Sequence, residues 1–116
     1  MRYLCIVHVD PDIFGALSDA ERAALGRASE AYDQVLTTRG KLVLAEALTG
    51  PATAATVRVR AEGTSVTDGR FAETREHVAG FLLVDADDRD EAISLAAGCP
   101  MARMGAIEVR PLLFQP

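Results

Sequence analysis

Two histidines, placed near acidic residues, are the natural proton carriers of this 116-residue chain. His8 lies two residues before Asp10, and His77 lies four residues after Glu73. An imidazole oriented by a carboxylate can exchange a proton near neutral pH. His8, Asp10, Glu73 and His77 are therefore the candidate catalytic groups. Strand parity through this region would place Phe71, Glu73, Arg75 and His77 on one face and Thr74 and Glu76 on the other. The bland alternatives are a satisfied histidine at the edge of the core for His8 and a wet, charge-paired strand end for Glu73 and His77.

A second set of residues would bind and not react. Glu108 and Arg110 alternate on one strand face, as an ion pair or as a clamp for a substrate carboxylate, with Arg103 nearby in the preceding loop. Asp68-Gly69 reads as a turn, since Asp accepts from downstream amides and Gly takes positive φ; the functional reading aims Asp68 and Phe71 into a pocket. Other chemistries find little support. There is no G-x-S-x-G elbow and no glycine-rich phosphate loop. Cys5 and Cys99 read as buried, inert thiols in a reducing compartment. Cys5-x-x-His8 is the only close Cys/His pair, and on a strand its members point to opposite faces, so no metal site is expected. No cofactor is expected.

The elements that hold these groups follow from periodicity. Arg2 to Val9 alternates with apolar residues on both faces, the pattern of a central strand ended by Asp10-Pro11. Ser18 to Arg39 is the long helix, opened by the capping box Ser18-x-x-Glu21 and stopped at Gly40. Ala24, Leu25, Ala28, Ala31, Tyr32, Val35 and Leu36 supply its expected buried stripe. Lys41 to Leu48 is a strand. Thr53 to Arg60 and Thr64 to Thr67 form a hairpin about Glu62-Gly63, with Ala55, Val57 and Val59 on the face expected to be buried. Glu76 to Val84 is a strand. Asp88-x-x-Glu91 starts a short helix ending at Gly98, and Ala106 to Leu112 is the last strand.

The order is strand, helix, strand, hairpin, strand, helix, strand. This is an α+β, ferredoxin-like βαββαβ pattern with an inserted β-hairpin, in one domain over residues 1–116. Two helices cover one sheet face only. A second copy of the chain is the simplest cover for the other, giving a face-to-face homodimer. A composition of 49% hydrophobic and 25% charged residues fits a folded globular chain. A formal net charge of −5 and 5% aromatics argue against nucleic acid as a partner. No apolar run is long enough to span a bilayer, and Met1 to Val9 lacks the flanks of a signal peptide, so no membrane partner and a cytoplasmic location are expected.

Three stretches resemble the DGPF branch of the YCII-related family. Met1-Arg2-Tyr3-Leu4-Cys5-Ile6-Val7 resembles its opening strand. Val66-Thr67-Asp68-Gly69-Arg70-Phe71-Ala72-Glu73-Thr74-Arg75-Glu76-His77 resembles its D-G-P-F-A-E-T-K-E signature. Cys99-Pro100-Met101-Ala102-Arg103 and Gly105-Ala106-Ile107-Glu108-Val109-Arg110-Pro111 resemble its closing segment. The resemblance implies a dimeric α/β barrel of ferredoxin-like protomers. It also implies either an accessory or regulatory role beside an extracytoplasmic-function sigma factor, or a cofactor-free acid–base enzyme for a small aromatic or carboxylated molecule in the inter-sheet cavity. Arg70 replaces the Pro of the signature, which should loosen that turn. In narrower YCII enzymes the suspected histidine lies in the first helix, and here Ser18 to Arg39 contains none.

Overall fold

In a computed structural model, which describes residues 1–71 and 74–116, the alternating strand Arg2–Val9 (β1) forms the centre of a four-stranded sheet. Its neighbours are His77–Asp85 (β5) and Gly105–Pro111 (β6), with Leu42–Ala47 (β2) on the edge beyond β5. Every pairing is antiparallel and the order is β2-β5-β1-β6. That is the topology expected from the βαββαβ order. Ala55–Arg60 (β3) and Gly63–Asp68 (β4) form a separate two-stranded sheet.

Tyr3, Cys5, Val7 and Val9 of β1 are buried, as are Leu82 and Val84 of β5, against the helix side of the sheet. Asp19–Thr38 (α2) adds Leu36, and Arg89–Gly98 (α3) adds Ala92, Leu95 and Ala96. The capping box of α2 is present: Glu21 N–H donates to Ser18 Oγ at 3.1 Å, and Ser18 N–H donates to Glu21 Oε1 at 2.9 Å. Asp88 caps α3, and Gly40 takes φ 72° after α2, as a C-terminal stop requires. Among the described residues, three short elements go beyond the expected order: a helix at Pro11–Gly15 (α1), which has Asp10 as its N-cap, and 3-10 segments at Pro51–Thr53 and Pro100–Met104.

Two expectations about facing are overturned. In α2 only Leu25, Tyr32 and Leu36 of the seven-residue stripe turn inward; Ala24, Ala28, Ala31 and Val35 are exposed. Alanine favours helix but is too small to choose the face, so the larger side chains choose it. In the hairpin, Val57, Val59 and Val66 are 61%, 67% and 65% exposed, whereas Thr56 and Arg58 are half-buried. Alternation groups these valines on one face, and among the described residues no other part of the protomer covers that face.

Cys5 and Cys99 lie in the helix-side core as free thiols. Burial, with Cys99 nearby, pushes the Cys5 thiol up to about 11. Because this folded value lies above the ordinary 9.0, the neutral thiol's contribution to stability is whole below pH 9 and is lost as pH rises through about 11. Neither thiol is expected to react with Ellman's reagent in native protein at pH 8, and both should react in denaturant. Fast reaction without denaturant would show that the core opens readily.

Candidate functional site

The sheet face turned away from the helices carries the site. On β1 it presents Leu4, Ile6 and His8; on β5, Val78, Phe81 and Leu83; on β6, Ala106, Glu108 and Arg110. These side chains are half-buried or exposed in the protomer. At the His8 end, a cavity of about 790 Å³ opens between the sheet and the root of the hairpin. His8, His77, Glu76, Arg70, Phe71 and a group of threonines line it. Its size is that of a small-molecule pocket.

His8 Nε2–H donates to Glu108 Oε1 at 3.0 Å, and Glu108 Oε2 lies 3.9 Å from Arg110 Nε. A carboxylate only accepts, so this bond assigns the proton to Nε2 and leaves Nδ1 as the basic nitrogen. Backbone packing fixes the pair. Gly105 opposes Val9 in the β1–β6 register, and Asp10 N–H donates to Met104 O at 2.8 Å. A β-bulge in β5 between the partners of Val7 and His8 brings Val78 opposite His8.

The expected site residues divide as follows. His8 and His77 both line the cavity. Asp10 is not the partner of His8: its carboxylate accepts from Asp12 N–H at 2.9 Å as the α1 cap, and lies 3.5 Å from Arg75 Nε. Arg75 also pairs with Asp12, which ties the residues just before β5 to α1. Glu73 lies outside the described residues. For residues 74–76 the strand parity does not apply, because β5 begins only at His77 and a strand's alternation does not extend into the preceding bends.

Phe71 is 77% exposed at the rim, with the Arg58 guanidinium 5.4 Å from its ring centroid. Asp68 ends β4 and lines a smaller, adjacent cleft of about 420 Å³ with Arg58, Arg70 and Phe71. Gly69 follows with φ 102°, the positive φ expected of it. Glu108 and Arg110 share a face as expected. Arg103 does not join them: it is exposed on the 3-10 segment and lines neither cavity. Cys5 and His8 project to opposite faces.

Sequence reasoning missed Arg70 and Glu76 as cavity residues, along with Thr49, Thr53 and Thr56. It also missed Glu108 as the partner of His8. The usable signal for Glu108 was parity: His8 and Glu108 both lie on the face opposite the buried residues of strands that βαββαβ topology makes neighbours. Arg70, which stands where the resemblance has Pro, donates from Nη1 to Glu76 O at 3.4 Å and so faces the cavity wall.

Comparisons with known proteins bear on this geometry. Residues 1–114 match the family model described as YCII-related domain. An uncharacterized protein of Rhizobium meliloti (strain 1021) is 36% identical over 119 residues, spanning 100% of this chain and 96% of the relative. A solved structure of 5-chloro-2-hydroxyhydroquinone dehydrochlorinase (TftG) from Burkholderia phenoliruptrix AC1100, in complex with 2,5-dihydroxybenzoquinone, has a similar fold. The TM-score is 0.59, over 99% of this chain and 96% of that one, at 17% identity. Likeness at that identity is likeness of fold.

Proposed function

The chain belongs to the YCII-related family, and from that premise we propose that it is a homodimeric, cofactor-free acid–base enzyme of the DGPF branch. Its substrate is a small aromatic or carboxylated molecule, and its reaction is of the isomerase or lyase type. The observation that carries this reading is the His8–Glu108 pair at 3.0 Å on the wall of a cavity that also holds His77 and Arg70. His8 Nδ1 takes a proton from a ring hydroxyl or from a carbon beside a carbonyl. Glu108 stabilises the imidazolium, which returns the proton to another atom of the same molecule. Arg70 is the cation available to an oxyanion or carboxylate. TftG, by its name, acts on a hydroxylated ring, and the ligand in its structure is a dihydroxyquinone; a similar fold here supports a similar class of ligand.

The dimer completes the chamber as a face-to-face α/β barrel. The protomer measures 49 × 41 × 18 Å, with a radius of gyration of 15.9 Å. A compact domain of this length would have about 13 Å. One sheet layer with helices on one side accounts for the thinness, and a second copy covers the open face. The two buried free thiols suit a reducing compartment, and we assign the protein to the cytoplasm. Among the described residues, no helix is long and apolar enough to cross a membrane.

Calorimetric titration with 2,5-dihydroxybenzoquinone tests the site. Saturable binding is expected, weakened at least about tenfold in His8→Ala, which loses a charge-assisted hydrogen bond. A smaller loss is expected in Glu108→Gln. Equal affinity in His8→Ala, or no saturation in the wild type, would defeat the enzyme reading. The accessory reading, with a sigma-factor partner, would then gain. It draws on the exposed valines of the hairpin, which are suited to protein contact.

A further inference from the structure

The hairpin has two unlike faces. One carries Val57, Val59 and Val66. The other carries Thr56, Arg58, Ser65 and Thr67, because Thr56 pairs with Thr67 and Arg58 with Ser65 across β3 and β4. The polar face is turned onto the segment that follows β4. Gly69 N–H donates to Ala54 O at 2.7 Å, and Thr56 Oγ1 donates to Gly69 O at 3.0 Å. These bonds hold the backbone of Gly69, and so the root of Arg70, beside the strand that carries Arg58. The cleft of about 420 Å³ here is lined by Arg58 and Arg70, with Thr67, Asp68 and Phe71 among its other residues.

The charges in this cleft do not cancel. Two guanidiniums stand against one carboxylate, Asp68, in a chain whose formal net charge is −5. Among the described residues, the arginine ion pairs lie at Arg22, Arg75 and Arg110, and neither Arg58 nor Arg70 has a carboxylate partner. Both are half-buried. A cation drawn partly out of water without a counter-charge is unfavourable, and an anion in the cleft would relieve it. Arg70 donates from Nη1 to Glu76 O, and the Thr56 hydroxyl is taken by Gly69 O. The main donors left are the two guanidinium forks, whose geometry matches the paired oxygens of a carboxylate.

The cleft adjoins the His8 cavity, since Pro51, Thr56, Arg70 and Phe71 line both. Phe71 stands exposed at the junction, with the Arg58 guanidinium over its ring. We propose that the arginine cleft is the carboxylate pocket of the His8 chamber, a step that rests on the acid–base reading above and narrows its substrate to a monoanionic aromatic acid. Arg58 and Arg70 hold the carboxylate. The ring lies against the open side of Phe71, and a ring hydroxyl enters the chamber toward His8 Nδ1. Asp68 leaves the pocket one net positive charge, which suits a carboxylate and disfavours a dianion such as a phosphate ester. Arg58 is then a specificity residue: it binds the end of the substrate that does not react.

Calorimetry on the full chain compares 4-hydroxyphenylacetate with its neutral amide, 4-hydroxyphenylacetamide. Wild type should bind the acid at least about tenfold more tightly, as charge-assisted hydrogen bonds require. Added sodium chloride should weaken binding of the acid and leave the amide unchanged. Arg58→Gln and Arg70→Gln should each remove most of the preference for the acid, with the amide's affinity unchanged. Arg58→Lys keeps the charge, loses the fork and should retain only part of the preference. The pocket is overturned if wild type binds acid and amide equally, if neither saturates at millimolar concentration, or if the preference survives both glutamine variants. The fate of the acid–base reading is read separately, from 2,5-dihydroxybenzoquinone and His8→Ala. If that affinity ignores His8→Ala while Arg58→Gln still abolishes the preference for the acid, the pocket stands without the chemistry. If it falls in His8→Ala while acid and amide bind alike, the chamber stands and the pocket is overturned.

Discussion

In the proposed homodimer, replacing Ile6 with glutamate is expected to leave only folded monomer in sedimentation at micromolar concentration. Ile6 stands mid-strand on the open face, opposite Phe81 on one side and Glu108 on the other. In a two-fold pairing of sheet faces, each introduced carboxylate would be buried among Leu4, Phe81 and Leu83 of its own sheet and the same residues of the second copy. An unpaired buried charge costs several kcal/mol. The dimer dissociation constant should therefore rise by about a thousandfold or more, since about 1.4 kcal/mol is a factor of ten. The protomer should survive, because Ile6 lies outside the helix-side core of Cys5, Leu36 and Val84. Helical circular dichroism should be retained. Val35→Glu, on the exposed outer side of α2, is the control and should leave the dimer intact. A wild type that sediments as a monomer, or an Ile6→Glu protein that stays dimeric, would remove the closed chamber from the proposed function.

Features that depend on residues close in sequence are legible without coordinates. Ser18 and Glu21 are three apart, and their reciprocal bonds need nothing beyond the first turn of the helix. The same holds for Asp88 at the start of α3 and for Gly40 at the end of α2. The strand order follows as well, because one connected βαββαβ chain has few ways to lay down a sheet. What alternation cannot say is which face of an element meets another element. In α2, alanines on the solvent side and leucines on the core side both satisfy a helical period. In the hairpin, alternation groups Val57 with Val59 correctly and says nothing of whether they are covered.

The candidate site shows the same divide. His8 is legible by type, and Asp10, two residues away, is its nearest carboxylate in the sequence. The carboxylate it meets is 100 residues distant, on β6. Asp10 is claimed by a local competitor: in Asp10-Pro11-Asp12, a short carboxylate caps a helix more readily than it reaches across a strand. His77 reaches the cavity because it starts β5 beside the hairpin root. Arg70 is instructive in the other direction. Read as a departure from a Pro that stiffens a turn, it turns out to supply the cavity with a cation.

The geometry that holds His8 against Glu108 depends on one missing methyl group. A Cβ at Gly105 would sit 2.2 Å from His8 O, 2.8 Å from Glu76 Oε2 and 3.0 Å from Asp10 N. The first and last of these are backbone atoms, which cannot rotate away as a side chain would. Gly105→Ala must therefore push β6 from β1 at the Val9–Gly105 register pair and strain the Asp10 N–H to Met104 O bond. Overpacking together with a weakened buried hydrogen bond predicts a loss of about 3 kcal/mol. For a chain of this length that is a fall in Tm of roughly 10 °C or more. Gly26→Ala is the matched contrast: its new Cβ meets nothing, and better helix propensity should leave Tm unchanged or raise it. Ligand binding should separate the two variants further. Gly105→Ala shifts the His8 carbonyl and with it the 3.0 Å bond to Glu108, so affinity in the sheet-face chamber should drop even at temperatures where the variant is fully folded. A Gly105→Ala protein with wild-type Tm and wild-type affinity would mean that β1 and β6 do not approach this closely at the site, and that something other than their backbones sets the position of His8.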